Sequence, residues 1–104
     1  MRRKETEDGI VEAYRRDEGM MILVFAQWCV NRGLDPYELY ARAYPGQPAG
    51  ANEALRRAVE LTAPKEEAGD IADETVLNAL EAFGNDDLAF VVAEAAQALR
   101  GKRG

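Results

Sequence analysis

Met20-Met21-Ile22-Leu23-Val24-Phe25-Ala26-Gln27-Trp28-Cys29-Val30 is the most apolar run in the chain, with Gln27 its one strongly polar side chain. As a helix it is apolar on nearly every side, which marks a helix surrounded by others rather than one lying on a surface. Eleven residues of helix reach about 16 Å, against the roughly 30 Å of a bilayer core. The run therefore reads as a buried core helix, predicted over Glu18–Arg32, and not as a membrane anchor. Gly33 stops it, in the left-handed conformation that glycine adopts without strain.

Upstream, Ile10, Val11, Ala13 and Tyr14 share one side of a helix predicted over Glu5–Arg16, with a break or kink at Asp17-Glu18-Gly19. Downstream the start and stop signals are plainer. Asp35-Pro36-Tyr37-Glu38 supplies an N-cap, a proline in the first turn and a glutamate at the third position, opening a helix that Pro45 ends. Pro45–Gly50 reads as the one real loop. Asn52 caps a helix over Glu53–Leu61, and Pro64 opens a single turn to Ala68 before Gly69. Asp73-Glu74-Thr75 begins a helix with Val76, Leu77, Leu80 and Phe83 along one stripe, stopped by Gly84. Asn85-Asp86-Asp87 caps the last helix, whose stripe is Leu88, Val91, Val92, Ala95 and Leu99. The abrupt Gly84-Asn85 junction requires those two helices to pack against each other. The expected fold is all-α: one domain over residues 1–104, a bundle of about five helices around the apolar helix 18–32, with frayed tails at 1–5 and 101–104.

Composition narrows the chemistry. A chain of 104 residues with no histidine has no Ser-His-Asp triad, no Cys-His pair and no imidazole ligand for zinc or haem. One cysteine makes no internal disulfide. An acidic stretch (Glu5, Glu7, Asp8) follows the basic residues Arg2, Arg3 and Lys4, where a signal peptide needs an apolar region, so the expected compartment is the cytoplasm. Net charge is −6, and Ala63–Leu99 holds nine acids against one base, Lys65. Such a body repels polyphosphate, so neither nucleic acid nor membrane is an expected partner.

Among the acids, Glu66, Glu67, Asp70, Asp73 and Glu74 form the strongest enzymatic lead. A helix running from Lys65 to Glu74 would set Glu66, Asp70 and Asp73 on one face, where three carboxylates hold Mg²⁺ or Mn²⁺. Glu66-Glu67-Ala68-Gly69-Asp70 resembles the first half of the Glu-Glu-x-x-Glu and Glu-x-x-Asp constellation of all-α nucleotide pyrophosphatases of the MazG type, with Asp in the last place. That resemblance implies a metal-dependent hydrolase. No Glu-x-x-Asp follows on a later helix, and Gly69 argues against a continuous helix through the set. Capping and solvation explain these acids without a metal, and the same holds for Asp86-Asp87.

Tyr37, Tyr40 and Tyr44 recur at i, i+3 and i+7 beside Arg42. Tyrosines in a row offer rigid apolar bodies with polar tips, which suits a recognition face; half-buried packing against the core is the alternative. Cys29, with no histidine to activate it, reads as a buried hydrophobe, and Trp28 as a core anchor whose N–H needs one partner. Arg15-Arg16 and Arg56-Arg57 read as exterior doublets that pair with the acidic half. The function expected is a small cytoplasmic, non-catalytic module without cofactor, which binds a protein partner at Tyr37, Tyr40, Tyr44 and Arg42, or binds a second copy of itself. The alternatives are a Mg²⁺- or Mn²⁺-dependent hydrolase on Glu66, Asp70 and Asp73, and an acidic inhibitor that mimics nucleic acid.

Overall fold

The apolar run folds as predicted into helix α1, residues 18–31, which ends as Gly33 takes φ 71°. The structure is a computed structural model and describes residues 18–103. The helix expected over Glu5–Arg16, its junction at Asp17, the doublet Arg15-Arg16 and the tail 1–5 lie outside the described residues. Glu18 and Gly19 are already helical.

Helix α2 spans Pro36–Ala43, and the Asp35 carboxylate accepts from the Tyr37 backbone N–H at 2.9 Å, closing the expected cap. Helix α3 spans Glu53–Leu61, with Asn52 Oδ1 accepting from the Leu55 N–H at 2.9 Å. A single turn, α4, covers Lys65–Ala68, followed by α5 over Asp73–Ala82 and α6 over Asp86–Arg103. No strand occurs among the described residues, and the fold is all-α.

Two features depart from expectation. The loop after Pro45 contains a 3₁₀ turn, Ala49–Ala51, closed by Ala51 N–H to Pro48 O at 3.0 Å and Asn52 N–H to Ala49 O at 3.1 Å. It buries Ala49, which a run of small residues after Pro48 does not announce. The last helix also runs past Leu99 to Arg103, through residues expected to fray. Its apolar stripe has ended there, but Arg100 is tied to Asp73 at 3.2 Å.

Helices α2 and α5 both pack on α6, so the tight turn at Gly84 (φ 75°) does fold α5 back against its successor. The core gathers Met21, Phe25, Trp28 and Cys29 from α1 with Leu39, Leu55, Val76, Leu80, Leu88 and Val92. Burying each large side chain is worth about 1.5–3 kcal/mol. The middle of α1 is enclosed whichever way its residues point, since Phe25, Ala26, Gln27, Trp28 and Cys29 are all buried. Toward its start the helix emerges, and Met20 is 59% exposed. No helix among the described residues is long and apolar enough to cross a membrane.

Candidate functional site

Polar groups converge most densely where the end of α1 meets the segment between α4 and α5. Asp73 is the hub. Its Oδ1 accepts from the Trp28 indole N–H at 2.9 Å and from Arg32 Nη2 at 2.9 Å, and its Oδ2 accepts from Arg100 Nη1 at 3.2 Å. Arg32 also donates to the Ile71 carbonyl at 3.0 Å and to Asp70 Oδ1 at 3.1 Å, and its guanidinium lies over the Trp28 ring at 5.7 Å. One residue back, Asn31 Nδ2 donates to the Gly69 carbonyl at 2.9 Å. Gln27 donates to the Ala63 carbonyl at 2.8 Å and accepts from the Ala63 N–H at 2.9 Å, holding the far end of the same segment.

The result is a polar seam that pins the connection Ala63–Asp73 along α1. An open cleft of about 550 Å³ runs beside it, lined by Asn31, Arg32, Lys65, Asp70, Asp73 and Arg100. Burial alone would raise the pKa of Asp73, but the Trp28 and Arg32 hydrogen bonds and the charges of Arg32 and Arg100 outweigh it and hold the pKa below its ordinary value. No buried side-chain polar atom among the described residues lacks a hydrogen-bond partner. The seam is thus internally satisfied, and its chemistry is that of a clasp.

The acidic set shares no helix face, as Gly69 gave reason to expect. The chain is not helical from Lys65 to Glu74: α4 stops at Ala68, and Gly69 takes φ 81° and ψ 165°, a conformation closed to other residues. Glu66 stays exposed on α4, while Asp70 and Asp73 turn to Arg32. Among the described residues no three carboxylate or thiol side chains converge as metal ligands would.

The tyrosine row is half-buried and packs on the core. The Tyr40 hydroxyl donates to Gln47 Oε1 at 3.3 Å and accepts from Asn52 Nδ2 at 2.7 Å. The Tyr44 hydroxyl donates to Asn85 Oδ1 at 3.0 Å. Their rings meet at 5.0 Å and 57°. Two of the three tips therefore tie α2 to the start of α3 and to the α5–α6 turn. Arg42 points away from that side, toward α6, where Nη2 lies 3.8 Å from Glu94 Oε1 with both side chains half exposed.

This side of α2 carries the feature that the sequence does not announce. Helices α2 and α6 run antiparallel and leave a shallow groove in two connected parts, both lined by Arg42. One, of about 370 Å³, adds Ala43, Asp87, Phe90, Val91 and Glu94. The other, of about 310 Å³, adds Leu34, Asp35, Glu38, Leu39, Ala95, Ala98 and Leu99. Phe90 is 64% exposed, a large aromatic standing in solvent on the edge of the groove. Its place in the heptad (two after Leu88, one before Val91) puts it off the buried stripe, which is the signal that was available.

Cys29 is fully buried and its thiol is pushed up to about 12, chiefly by burial and further by the nearby charge of Asp35. Arg56 and Arg57 are exposed on α3, and neither pairs with an acid among the described residues.

Comparison with known proteins gives one family. The YxiS family model matches residues 2–97. A Bacillus subtilis (strain 168) relative, "Uncharacterized protein YxiS", is 58% identical over 90 residues, which cover 86% of this chain and 92% of the relative. No solved structure matches the chain.

Proposed function

The chain belongs to the YxiS family, and from that premise we propose that it is a small non-catalytic helical module whose work is to bind a protein partner. The observation that carries this reading is the groove between α2 and α6, with Phe90 64% exposed on its edge and Arg42 half exposed across it. An aromatic of that size in solvent is a recurrent feature of binding surfaces, where aromatic and arginine side chains supply most of the affinity. Tyr37, Tyr40 and Tyr44 serve this surface from behind, by fixing the position of α2, and Arg42 is the residue of the expected set that faces a partner. Asp70 and Asp73 act in the clasp on α1, Glu66 stays exposed on α4, and none of the three needs a metal to account for its placement. We place the protein in the cytoplasm, where its buried cysteine stays a thiol.

The test combines light scattering over a concentration series with affinity capture from native lysate, comparing the unmodified chain with Phe90→Ser. The reading expects self-association or a specific captured protein, lost on Phe90→Ser. Only monomer in solution together with no captured partner would overturn it.

A further inference from the structure

We propose that the α2–α6 groove is a seat for a basic amphipathic helix of a partner protein; this rests on the reading of the chain as a binding module and names the chemistry of what it binds. The shape sets the occupant's form. From Asp87 to Leu99 the groove follows about 18 Å of α6, the length of three turns of a docked helix. Val91 and Ala95 from α6 and Leu39 from α2 lie buried beneath it, its Leu34–Leu99 part is mainly apolar, and Ala98 is small enough to let another backbone approach. A helix presenting apolar residues at i, i+3, i+4 and i+7 fits such a floor. Phe90 stands at one end as the exposed side chain available to pack on it.

Charge sets the occupant's sign. Among the described residues the rim carries four carboxylates, Asp35, Glu38, Asp87 and Glu94, all exposed, against one guanidinium, that of Arg42. Arg42 itself pairs with Glu94 at 3.8 Å with both side chains 50% exposed, so an incoming lysine or arginine exchanges for it at little cost. Complementarity of this kind favours a basic partner and disfavours a second copy of the chain, which brings a net charge of −6 to the same rim. The clasp around Asp73 does not compete for this role, because its acids are already neutralised by Arg32 and Arg100.

The experiment uses the full chain, ¹⁵N-labelled, titrated with three synthetic helix-forming 14-residue peptides. One has Leu at i, i+3, i+4 and i+7 with Lys elsewhere; the second is its scrambled sequence; the third replaces Lys with Glu. The proposal expects amide shifts confined to the groove, centred on Glu38, Arg42, Phe90 and Glu94, and weakening as salt rises. The scrambled peptide should bind at least about tenfold more weakly, Phe90→Ser should cost about tenfold, and Glu38→Gln with Glu94→Gln a similar factor. Circular dichroism melts of both variants should match the parent, since all three positions are exposed. Three outcomes would overturn the proposal: equal binding of the scrambled peptide, shifts spread over the acidic C-terminal half, or tight binding of the Glu peptide. Concentration-dependent shifts on this face without peptide would replace the partner helix by a second copy. A lysate partner whose capture survives Phe90→Ser and the Gln pair would defeat this seat while leaving the chain a binding module. No capture and no self-association would defeat both.

Discussion

Replacing Asp73 with alanine removes the acceptor on which three donors from two helices meet. Their shares are unequal. Trp28 is 0% exposed, and its indole N–H, now donating at 2.9 Å, loses its protein partner. An orphaned buried donor costs about 1–3 kcal/mol. Arg32 keeps the Ile71 carbonyl and Asp70, and losing one partly buried ion pair costs it at most about 1 kcal/mol. Arg100 is 67% exposed, and its pair contributes close to nothing. Asp73→Ala should therefore destabilise the protein by about 1–4 kcal/mol, against a total stability of roughly 5–15 kcal/mol. The corresponding fall in Tm is roughly 5 °C or more. Arg100→Ala should stay within about 0.5 kcal/mol of the parent. Urea unfolding followed by far-UV circular dichroism reads these differences, and the single tryptophan supplies a second probe wherever it is retained. A double-mutant cycle isolates the central bond: in the Trp28→Phe background no indole N–H remains to be orphaned, so Asp73→Ala should cost about 1 kcal/mol less or better. Equal costs for Asp73→Ala and Arg100→Ala, or an unchanged cost in the Trp28→Phe background, would refute the assignment of Asp73 as the hub.

The same carboxylate carries a pH dependence. Its folded pKa lies below the unfolded one, so its stabilisation is present above the ordinary aspartate pKa of about 3.9 and is lost as pH falls through the lower folded value; Asp73→Asn should lose that acid slope and keep the slopes of other groups. Cys29, with its thiol near 12, should be inert to Ellman's reagent at pH 8, where its thiolate fraction is on the order of 10⁻⁴, and should react only at the rate of opening; full labelling within seconds in the absence of urea would contradict its burial. Gly69→Ala should cost about 1–3 kcal/mol from backbone strain alone, since nothing lies within 4 Å of a Cβ placed there, whereas Gly46→Ala, with an equally open surrounding and no positive φ, should be close to neutral in the same urea titration. Leu80→Ala, at a fully buried position between α5 and α6, should cost about 2–5 kcal/mol, measured by the same denaturation.

The helix boundaries were legible because the interactions that set them are local. Asp35 caps a donor two residues away and Asn52 one three residues away. Gly33, Gly69 and Gly84 each stop a helix through their own φ. The apolar stripes are likewise periodic facts of one segment, and they name most of the core. Asp73 shows where such reading stops: in sequence it looks like one more acid at the start of a helix, yet its side chain turns back to Trp28, 45 residues away, and to Arg32, 41 residues away.

The candidate site belongs to that second kind. Tyr40 and Tyr44 have the spacing of a recognition face, but their hydroxyls are taken by Gln47, Asn52 and Asn85, which only packing brings within reach. Arg42 and Glu94, 52 positions apart, face each other only because α2 and α6 lie antiparallel. The sequence by itself determined where most of the helices start and stop and which residues most of them bury, because caps, breakers and periodicity act over three or four residues. The tertiary structure decided which acids clasp α1, and it made the groove that leaves Phe90 in solvent, because both depend on side chains that the chain brings together only on folding.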